Sequence, residues 1–241
     1  MALIDDLISY WKLDEASGNA TDSHGSNNLT DNNTVARVAA KINNGGDFEA
    51  TASENFSIAD GSQSGLDLAT DFSISAWIKM ESSTTEMGVV GKWDLGVNQR
   101  SWLLTILADN KPQLYFSDDG IGNSGFKSDT ALTDGVMAHV VVAVDISVPS
   151  ATFYINGSAV ADTATSTTDT SIHNGTAPFA LGSFYSSGSA TGFYDGVLDE
   201  VGVWGRILTS DEVTELYNSG NGLPYSDFGS AVGGAFLFNF I

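Results

Sequence analysis

One stretch, residues 192–218, most constrains the fold, because it predicts a β-strand followed directly by a helix. From Val197 to Trp204 the side chains alternate between two faces, which is the period of a strand. The strand carries an acidic pair, Asp199 and Glu200, among its valines. Carboxylates are costly to bury without partners, so we expect one of them to meet a cation, a hydrogen-bond donor or solvent.

A short helix is predicted immediately after this strand. Thr209 is followed three residues later by Glu212, a spacing that can form a capping box. Apolar residues at helical spacing come next, and Gly220 provides a stop signal.

The rest of the chain has the pattern of an antiparallel all-β protein, with short apolar runs between turn-forming residues. Phe72–Met80 predicts a half-buried strand, with Trp77 under a loop or on a binding face. The apolar run Val140–Ile146 predicts a central strand covered on both faces. Asn156-Gly157 predicts a tight hairpin.

Two polar stretches, Thr21–Asn33 and Ala161–Thr176, are predicted to be loops, and Phe179–Phe184 to be a strand. About a dozen short strands with one short helix near the C-terminus predict a two-sheet sandwich.

Several segments, in order, resemble those of laminin-G-like, concanavalin A-like jelly-roll domains. The segments are LISYWKLDEASG at 7–18, LDLATDFSISAWIKM at 66–80, HVVVAVDISVPSATFYING at 139–157 and GxLDEVxVWxRxLTxDEVxxLY at 196–217. The resemblance implies an all-β, two-sheet antiparallel jelly-roll sandwich. We therefore expect a jelly-roll domain over residues 1–220 and a separate segment over residues 221–241.

That last segment is predicted to be a glycine-rich tether that ends in an apolar tail. Residues 235–241 contain three phenylalanines and no charge, which is an aggregation hazard if they are left exposed. We expect the tail, residues 229–241, to fold back on the sandwich or to contact another subunit of the same or a different protein.

Charge excludes two classes of partner. The 241 residues include 9 basic and 30 acidic side chains, for a formal net charge of −21. Nucleic-acid binding needs a basic surface, and anionic lipid surfaces would repel this chain. No apolar run is long enough to span a membrane, and no signal peptide is visible. The expected location is the virion surface or the extracellular space.

Calcium is a cofactor that the resemblance implies. Many members of this superfamily hold one structural calcium ion between the loop after the first strand and the aspartate of the LDE motif. By position, the predicted ligands are Asp199 and Asp22, with Asn27 and Asn28 as helpers. The alternative is that Asp199 only accepts hydrogen bonds from the loop after the first strand.

Carbohydrate binding is the function that the resemblance implies. Sugar rings stack on exposed aromatic side chains, although large aromatics in a sandwich also serve as core residues. The candidates are Trp93, Trp102, Tyr115, Tyr185 and Tyr194.

Catalysis is not predicted. Retaining glycoside hydrolysis needs two carboxylates about 5–5.5 Å apart. Catalytic members of the superfamily place them as E-x-D-x-x-E on one strand face, and no strand here has that pattern.

Three hypotheses result. The first is a virion component, such as a phage tail or capsid-decoration protein, that binds cell-surface glycans. The second is a free-standing, calcium-dependent carbohydrate-binding module. A glycoside hydrolase is the third.

Overall fold

The computed structural model describes residues 1–81 and 84–229, whose strands form two β-sheets packed face to face. Apart from one parallel bridge between Tyr185 and Asp94, the strand pairs are antiparallel. This architecture confirms the predicted jelly-roll sandwich.

In chain order the strands are β1 (Leu7–Trp11), β2 (Thr30–Asn32), β3 (Ala36–Ala39), β4 (Asn44–Phe48), β5 (Asn55–Ile58), β6 (Phe72–Met80), β7 (Met87–Asp94), β8 (Gln99–Ile106), β9 (Pro112–Phe116), β10 (Ser124–Ser128), β11 (Ala138–Asp145), β12 (Ser150–Ile155), β13 (Ser158–Val160), β14 (Asp162–Ser166), β15 (Phe179–Leu181), β16 (Phe184–Ser186), β17 (Ser189–Thr191) and β18 (Gly196–Trp204). Short 3₁₀ turns lie at Ala50–Ala52, Asp60–Ser62, Asn218–Gly220 and Tyr225–Asp227.

The first sheet has eight strands in the order β13-β12-β11-β6-β18-β4-β3, with β1 paired to β18. The second has ten strands in the order β14-β10-β9-β8-β7-β15-β5-β2, with the β16–β17 hairpin attached to β7. The main core lies between these sheets. Its aromatic centre includes Phe179, whose ring lies 4.9 Å from Trp11 and 6.0 Å from Trp102 between centroids.

A second apolar cluster covers the outer face of the eight-stranded sheet. Trp204 lies near its middle, and its indole Nε1 donates to the carbonyl of Leu3 at 2.7 Å. The cluster also includes Val213 and Leu216 of the helix that follows β18. This face of the sheet is therefore covered by the N-terminal residues, the helix and the segment that reaches Phe228.

The described residues contain one α-helix, α1 (Ser210–Tyr217), and it begins as predicted. Thr209 and Glu212 form the capping box, with Glu212 Oε2 accepting from the Thr209 N–H at 2.8 Å. Arg206 also pairs with Glu212 at 2.8 Å. The helix ends at Tyr217 and is capped by Asn218, whose φ of 48° is left-handed and which lies two residues before the predicted stop at Gly220. No helix in the described ranges is long and apolar enough to cross a membrane.

Two further local predictions are confirmed. The predicted central strand corresponds to β11, which is buried on both faces between β6 and β12. Asn156 and Gly157 have φ values of 52° and 78°, which are those of a tight hairpin turn that joins β12 to β13.

The predicted loops Thr21–Asn33 and Ala161–Thr176 are wrong in part, because they contain β2 and β14. These two strands form the outer edges of the ten-stranded sheet, where polar residues are favoured and no apolar face is needed. The predicted strand Phe179–Phe184 is in fact two strands, separated by a break at Gly182, whose φ is 81°.

The half-buried character predicted for Phe72–Met80 is also wrong, because both faces of β6 are covered. On the outer face, the Trp77 ring stacks on Tyr217 at 5.8 Å, and the Lys41 ammonium lies 4.3 Å from its centroid. Trp77 is only 3% exposed, so it lies under a loop and not on a binding face.

The residues that follow α1 pack on the sandwich as far as they are described. Tyr225 stacks on Tyr10 at 5.3 Å, and Phe228 meets Tyr10 edge-on at 4.9 Å. The domain boundary at residue 220 stays a prediction. Residues 230–241, and with them nearly all of the predicted contact segment 229–241, lie outside the described residues.

Candidate functional site

A pocket of about 340 Å³ opens on the outer face of the ten-stranded sheet, where β7, β8 and β9 lie side by side. Trp102 and Phe116 point into the core, so the paired residues Leu103 and Tyr115 point outward. The volume is near the lower limit of small-molecule pockets, which hold about 300–1,000 Å³. The lining residues are Glu86, Trp93, Leu95, Leu103, Tyr115, Asn123 and Phe184.

Three aromatic rings line the pocket, and they differ in exposure. Trp93 is only 5% exposed and lies 5.9 Å from Tyr115 between ring centroids, so it forms a wall of the pocket. Tyr115 and Phe184 are half-buried. These two rings therefore provide the aromatic surface that a ligand can contact.

The β16–β17 hairpin holds Phe184 at the side of the pocket. Asp94, at the end of β7, accepts a hydrogen bond from the Gly188 N–H at 2.8 Å and so ties the hairpin to the sheet. Gly192 has a φ of 56°, and a Cβ there would lie 2.0 Å from the Phe184 ring. The position of Phe184 therefore depends on a glycine at residue 192.

The polar side chains of Glu86 and Asn123 line the same pocket as these aromatic rings. Glu86 Oε1 accepts from the Thr105 hydroxyl at 3.0 Å. Burial raises the pKa of Tyr115 to about 12, and the Glu86 carboxylate beside its hydroxyl adds to the rise. The phenol therefore keeps its proton at neutral pH, and the pocket combines hydrogen-bonding groups with apolar ring faces.

Two of the predicted sugar-stacking residues are corrected by the structure. Trp102 is fully buried in the core, with its indole Nε1 donating to the Leu66 carbonyl at 3.1 Å. Tyr194 is also fully buried and packs edge-on against Phe48 at 6.1 Å. Neither ring is accessible to a ligand.

The other three aromatic candidates lie in or beside the pocket. Trp93 and Tyr115 line it, and Tyr185 is a half-buried residue of the adjacent β16 that does not line it. Sequence reasoning missed the other five lining residues, which are Glu86, Leu95, Leu103, Asn123 and Phe184. The signal that could have found Leu103 is its alternation with Trp102, which fixes opposite faces for these neighbours.

Asp199 is buried and holds the loop between β3 and β4, not the predicted loop after the first strand. Its Oδ2 accepts from the backbone N–H groups of Lys41 and Ile42, both at 2.9 Å. Burial raises the pKa of Asp199 to about 7, and these two donors oppose the rise. The expectation that this acidic pair meets a donor is thus confirmed for Asp199.

Asp22 organises a different loop. Its Oδ1 accepts from the backbone N–H groups of Tyr10, His24 and Gly25 at 2.9–3.0 Å. Its Oδ2 accepts from the Asn27 N–H at 3.0 Å. Both carboxylate oxygens are therefore engaged within the loop that follows β1.

The two asparagines belong to the same loop network. Asn27 Oδ1 accepts from the Ser64 N–H at 2.7 Å, and Asn28 Oδ1 accepts from the Asp22 N–H at 2.9 Å. The side chains of Asp22, Asn27 and Asn28 thus all accept hydrogen bonds from backbone N–H groups.

Each of the predicted calcium ligands has a hydrogen-bonding role of its own in the structure. Calcium takes six to eight oxygen ligands. In residues 1–81 and 84–229, no three histidine, aspartate or glutamate side chains are grouped as a metal site requires. Asp22, Asn27 and Asn28 hold one loop while Asp199 holds another. The calcium assignment stays a prediction.

Residues 50–214, more than half of the chain, match the model of the concanavalin A-like lectin/glucanases superfamily. The chain belongs to this superfamily. The match confirms the resemblance seen in the sequence. A comparison with curated proteins gives no match.

This superfamily member is similar in fold to three solved binding structures. The binding domain of Paraclostridial Mosquitocidal Protein 1 superimposes with a TM-score of 0.71 and 17% identity, over 90% of this chain and 53% of that chain. The second is Domain 4 of AbnA, a GH43 extracellular arabinanase from Geobacillus stearothermophilus, in complex with arabinotriose. Its TM-score is 0.59 at 20% identity, and the match covers 87% of this chain and 97% of that chain. The third is the binding domain of Botulinum Neurotoxin DC in complex with SialylT. Its TM-score is 0.63 at 12% identity, and the match covers 90% of this chain and 52% of that chain. The chain thus spans about half the length of the two toxin domains.

Proposed function

We propose that this chain is a carbohydrate-recognition domain whose sugar lies in the pocket beside Tyr115. One observation carries the proposal: the half-buried faces of Tyr115 and Phe184 lie next to the polar side chains of Glu86 and Asn123. Ligand pockets combine mainly apolar walls with a few well-placed polar groups. A sugar ring presents both an apolar C–H face and hydroxyl groups, so it matches this combination.

The aromatic and the polar residues of the pocket would contact different parts of the sugar. The C–H face of a sugar stacks on the Tyr115 and Phe184 rings, which gain from covering apolar surface. Glu86 accepts hydrogen bonds from hydroxyls, while the amide of Asn123 can both donate and accept. With so few contacts we expect a weak site, with a Kd between about 1 μM and 1 mM.

The solved neighbours support a binding role over a catalytic one. The three reported above include two toxin binding domains and an arabinanase domain solved with arabinotriose. Glu86 is the only acidic side chain among the described residues that line the pocket, whereas glycoside hydrolysis ordinarily uses a pair of carboxylates.

Three finer predictions have no such support. The neighbours reported above are toxin and arabinanase domains, which favour glycan recognition and do not bear on a virion role. Membership in a virion, the location that follows from it and dependence on calcium stay predictions.

The experiment is a glycan array followed by titration calorimetry on wild type and Tyr115→Ala. We expect a defined glycan to bind, and Tyr115→Ala to weaken its binding about tenfold, since stacking is worth on the order of 1 kcal/mol. Tyr154→Ala is the matched control, because Tyr154 is half-buried on β12 of the other sheet. Tyr185→Ala tests the remaining candidate. The proposal fails if no glycan binds, or if Tyr115→Ala binds as tightly as wild type.

A further inference from the structure

The candidate pocket carries one kind of charge. Among the described residues that line it, Glu86 alone is ionisable at neutral pH, while the others are aliphatic or aromatic apart from the amide of Asn123. The chain as a whole has a formal net charge of −21, so its long-range field adds to the negative potential of the pocket.

The Glu86 carboxylate is anchored at this place. It accepts from the hydroxyl of Thr105, a fully buried residue of β8, at 3.0 Å, and it lies beside the hydroxyl of Tyr115. Turning Glu86 out toward solvent would give up both interactions. Its negative charge is therefore a fixed feature of the pocket.

The neighbouring lysine is directed elsewhere. Lys92 precedes Trp93 on β7, but it is fully buried on the other side of the strand. Its ammonium group contacts the carboxylates of Asp60 and Asp67. Its charge is already paired and does not offset that of Glu86.

Arg100 lies against the Trp93 wall of the pocket, and no ion pair to a carboxylate is seen for it among the described residues. Its guanidinium lies 5.9 Å from the centroid of the Trp93 ring and donates to the backbone carbonyl of Ile121. It does not line the pocket among the described residues. Among the described residues that line the pocket, Glu86 is therefore the charged side chain that an acidic sugar would contact.

We infer that this pocket selects neutral saccharides and discriminates against sialylated or uronic-acid-containing ones, with Glu86 as the residue that sets this specificity. The inference rests on the proposed function, because it concerns the same pocket. Its physical basis is charge: a sugar carboxylate beside Glu86 is a like-charge contact, whereas neutral hydroxyls donate to the same oxygens.

The test compares neutral arabino-, xylo-, gluco- and galacto-oligosaccharides with sialyllactose and oligogalacturonate, each titrated into the full chain by calorimetry. We expect at least one neutral series to bind at least about tenfold more tightly than both acidic probes. Equal or tighter binding of an acidic probe overturns the inference and leaves glycan binding intact. Absence of binding by every probe refutes the proposed function itself, and the selectivity with it.

Two variants assign the selectivity to Glu86. Glu86→Gln removes the charge and keeps the shape, so it should narrow the preference for neutral sugars at least about fivefold. Asp211→Asn removes one charge from the exposed face of α1 on the other sheet and should leave the preference unchanged. If the wild type binds an acidic glycan and Arg100→Gln abolishes that binding, the assignment of selectivity to Glu86 is overturned. Melting temperatures check that each variant is folded. The comparison of neutral with acidic probes uses the wild type and does not depend on the variants.

Discussion

Phe228 fastens the residues after α1 to the sandwich, and replacing it with alanine should measurably destabilise the chain. It is 1% exposed, and its ring centroid lies 4.9 Å from Tyr10, 5.4 Å from Tyr225 and 6.3 Å from Trp204. These contacts belong to the apolar cluster on the outer face of the eight-stranded sheet. Phe228→Ala would open a cavity in that cluster.

The size of the effect follows from burial. Replacing a fully buried phenylalanine with alanine costs about 3–5 kcal/mol, and the lower end applies where the surroundings can close in. Phe228 packs in the cluster on the outer face of the sheet and not between the two sheets, so we expect about 3 kcal/mol. For a protein of this length that corresponds to a fall in Tm of about 6–12 °C.

Urea denaturation and thermal melting measure this change, with Val148→Ala as the matched control. Val148 is 69% exposed, so its truncation should change the free energy of unfolding by no more than about 0.5 kcal/mol. If Phe228→Ala changes it by no more than the control does, the segment does not pack in solution. In that case the domain would end near residue 220, as the sequence predicted.

Two other predictions concern the acidic pair of β18. Burial raises the pKa of Asp199 from 3.8 to about 7 and that of Glu200 from 4.5 to about 8. The folded chain therefore holds protons that the unfolded chain has released, and these groups make stability fall between about pH 4 and pH 8. Relative to Glu200→Gln, the wild type should lose up to about 4 kcal/mol as pH rises through this window, measured by urea denaturation at each pH; a constant difference would contradict the reasoning. The second prediction is that Asp199→Ala lowers the Tm equally in calcium and in chelator, because Asp199 accepts from the backbone of Lys41 and Ile42. If calcium raises the wild-type Tm and the variant loses that effect, the calcium assignment is confirmed.

The parts of the fold that could be predicted are those with a strong local signal. The capping box of Thr209 and Glu212 and the turn at Asn156-Gly157 act over a few residues, so the sequence alone is sufficient. The edge strands β2 and β14 could not be predicted, because their partners, not their own apolar pattern, make them strands.

Residues covered by distant parts of the chain were also hard to predict. Trp77 alternates as if it faced solvent, but the end of α1 and Lys41 cover it. At Glu200, a φ of 50° and a register shift in the pairing of β18 with β6 interrupt the alternation that the sequence suggests. A bulge of this kind depends on the neighbouring strand and leaves no clear signal in composition.

The candidate pocket was predictable only in part for the same reason. Tyr115 and Trp93 could be proposed because they are aromatic. They line the pocket whereas Trp102 lies in the core, and this difference depends on which face of each strand meets the core. Glu86 and Phe184 enter the pocket from outside the β8–β9 pair, from the residues before β7 and from β16. Only the assembled sheet brings these residues together.

The asymmetry of the sandwich favours the ten-stranded sheet as the recognition surface. The outer face of the eight-stranded sheet is occupied by α1, by the N-terminal residues around Leu3 and by the segment that ends in Phe228. On that side Trp77, His139 and Tyr217 stack on one another, and burial lowers the pKa of His139 to about 3, so this histidine stays neutral and structural. The pocket beside Tyr115 lies on the opposite side of the molecule. A ligand bound there would leave the packed face undisturbed, so binding should require little rearrangement of the core.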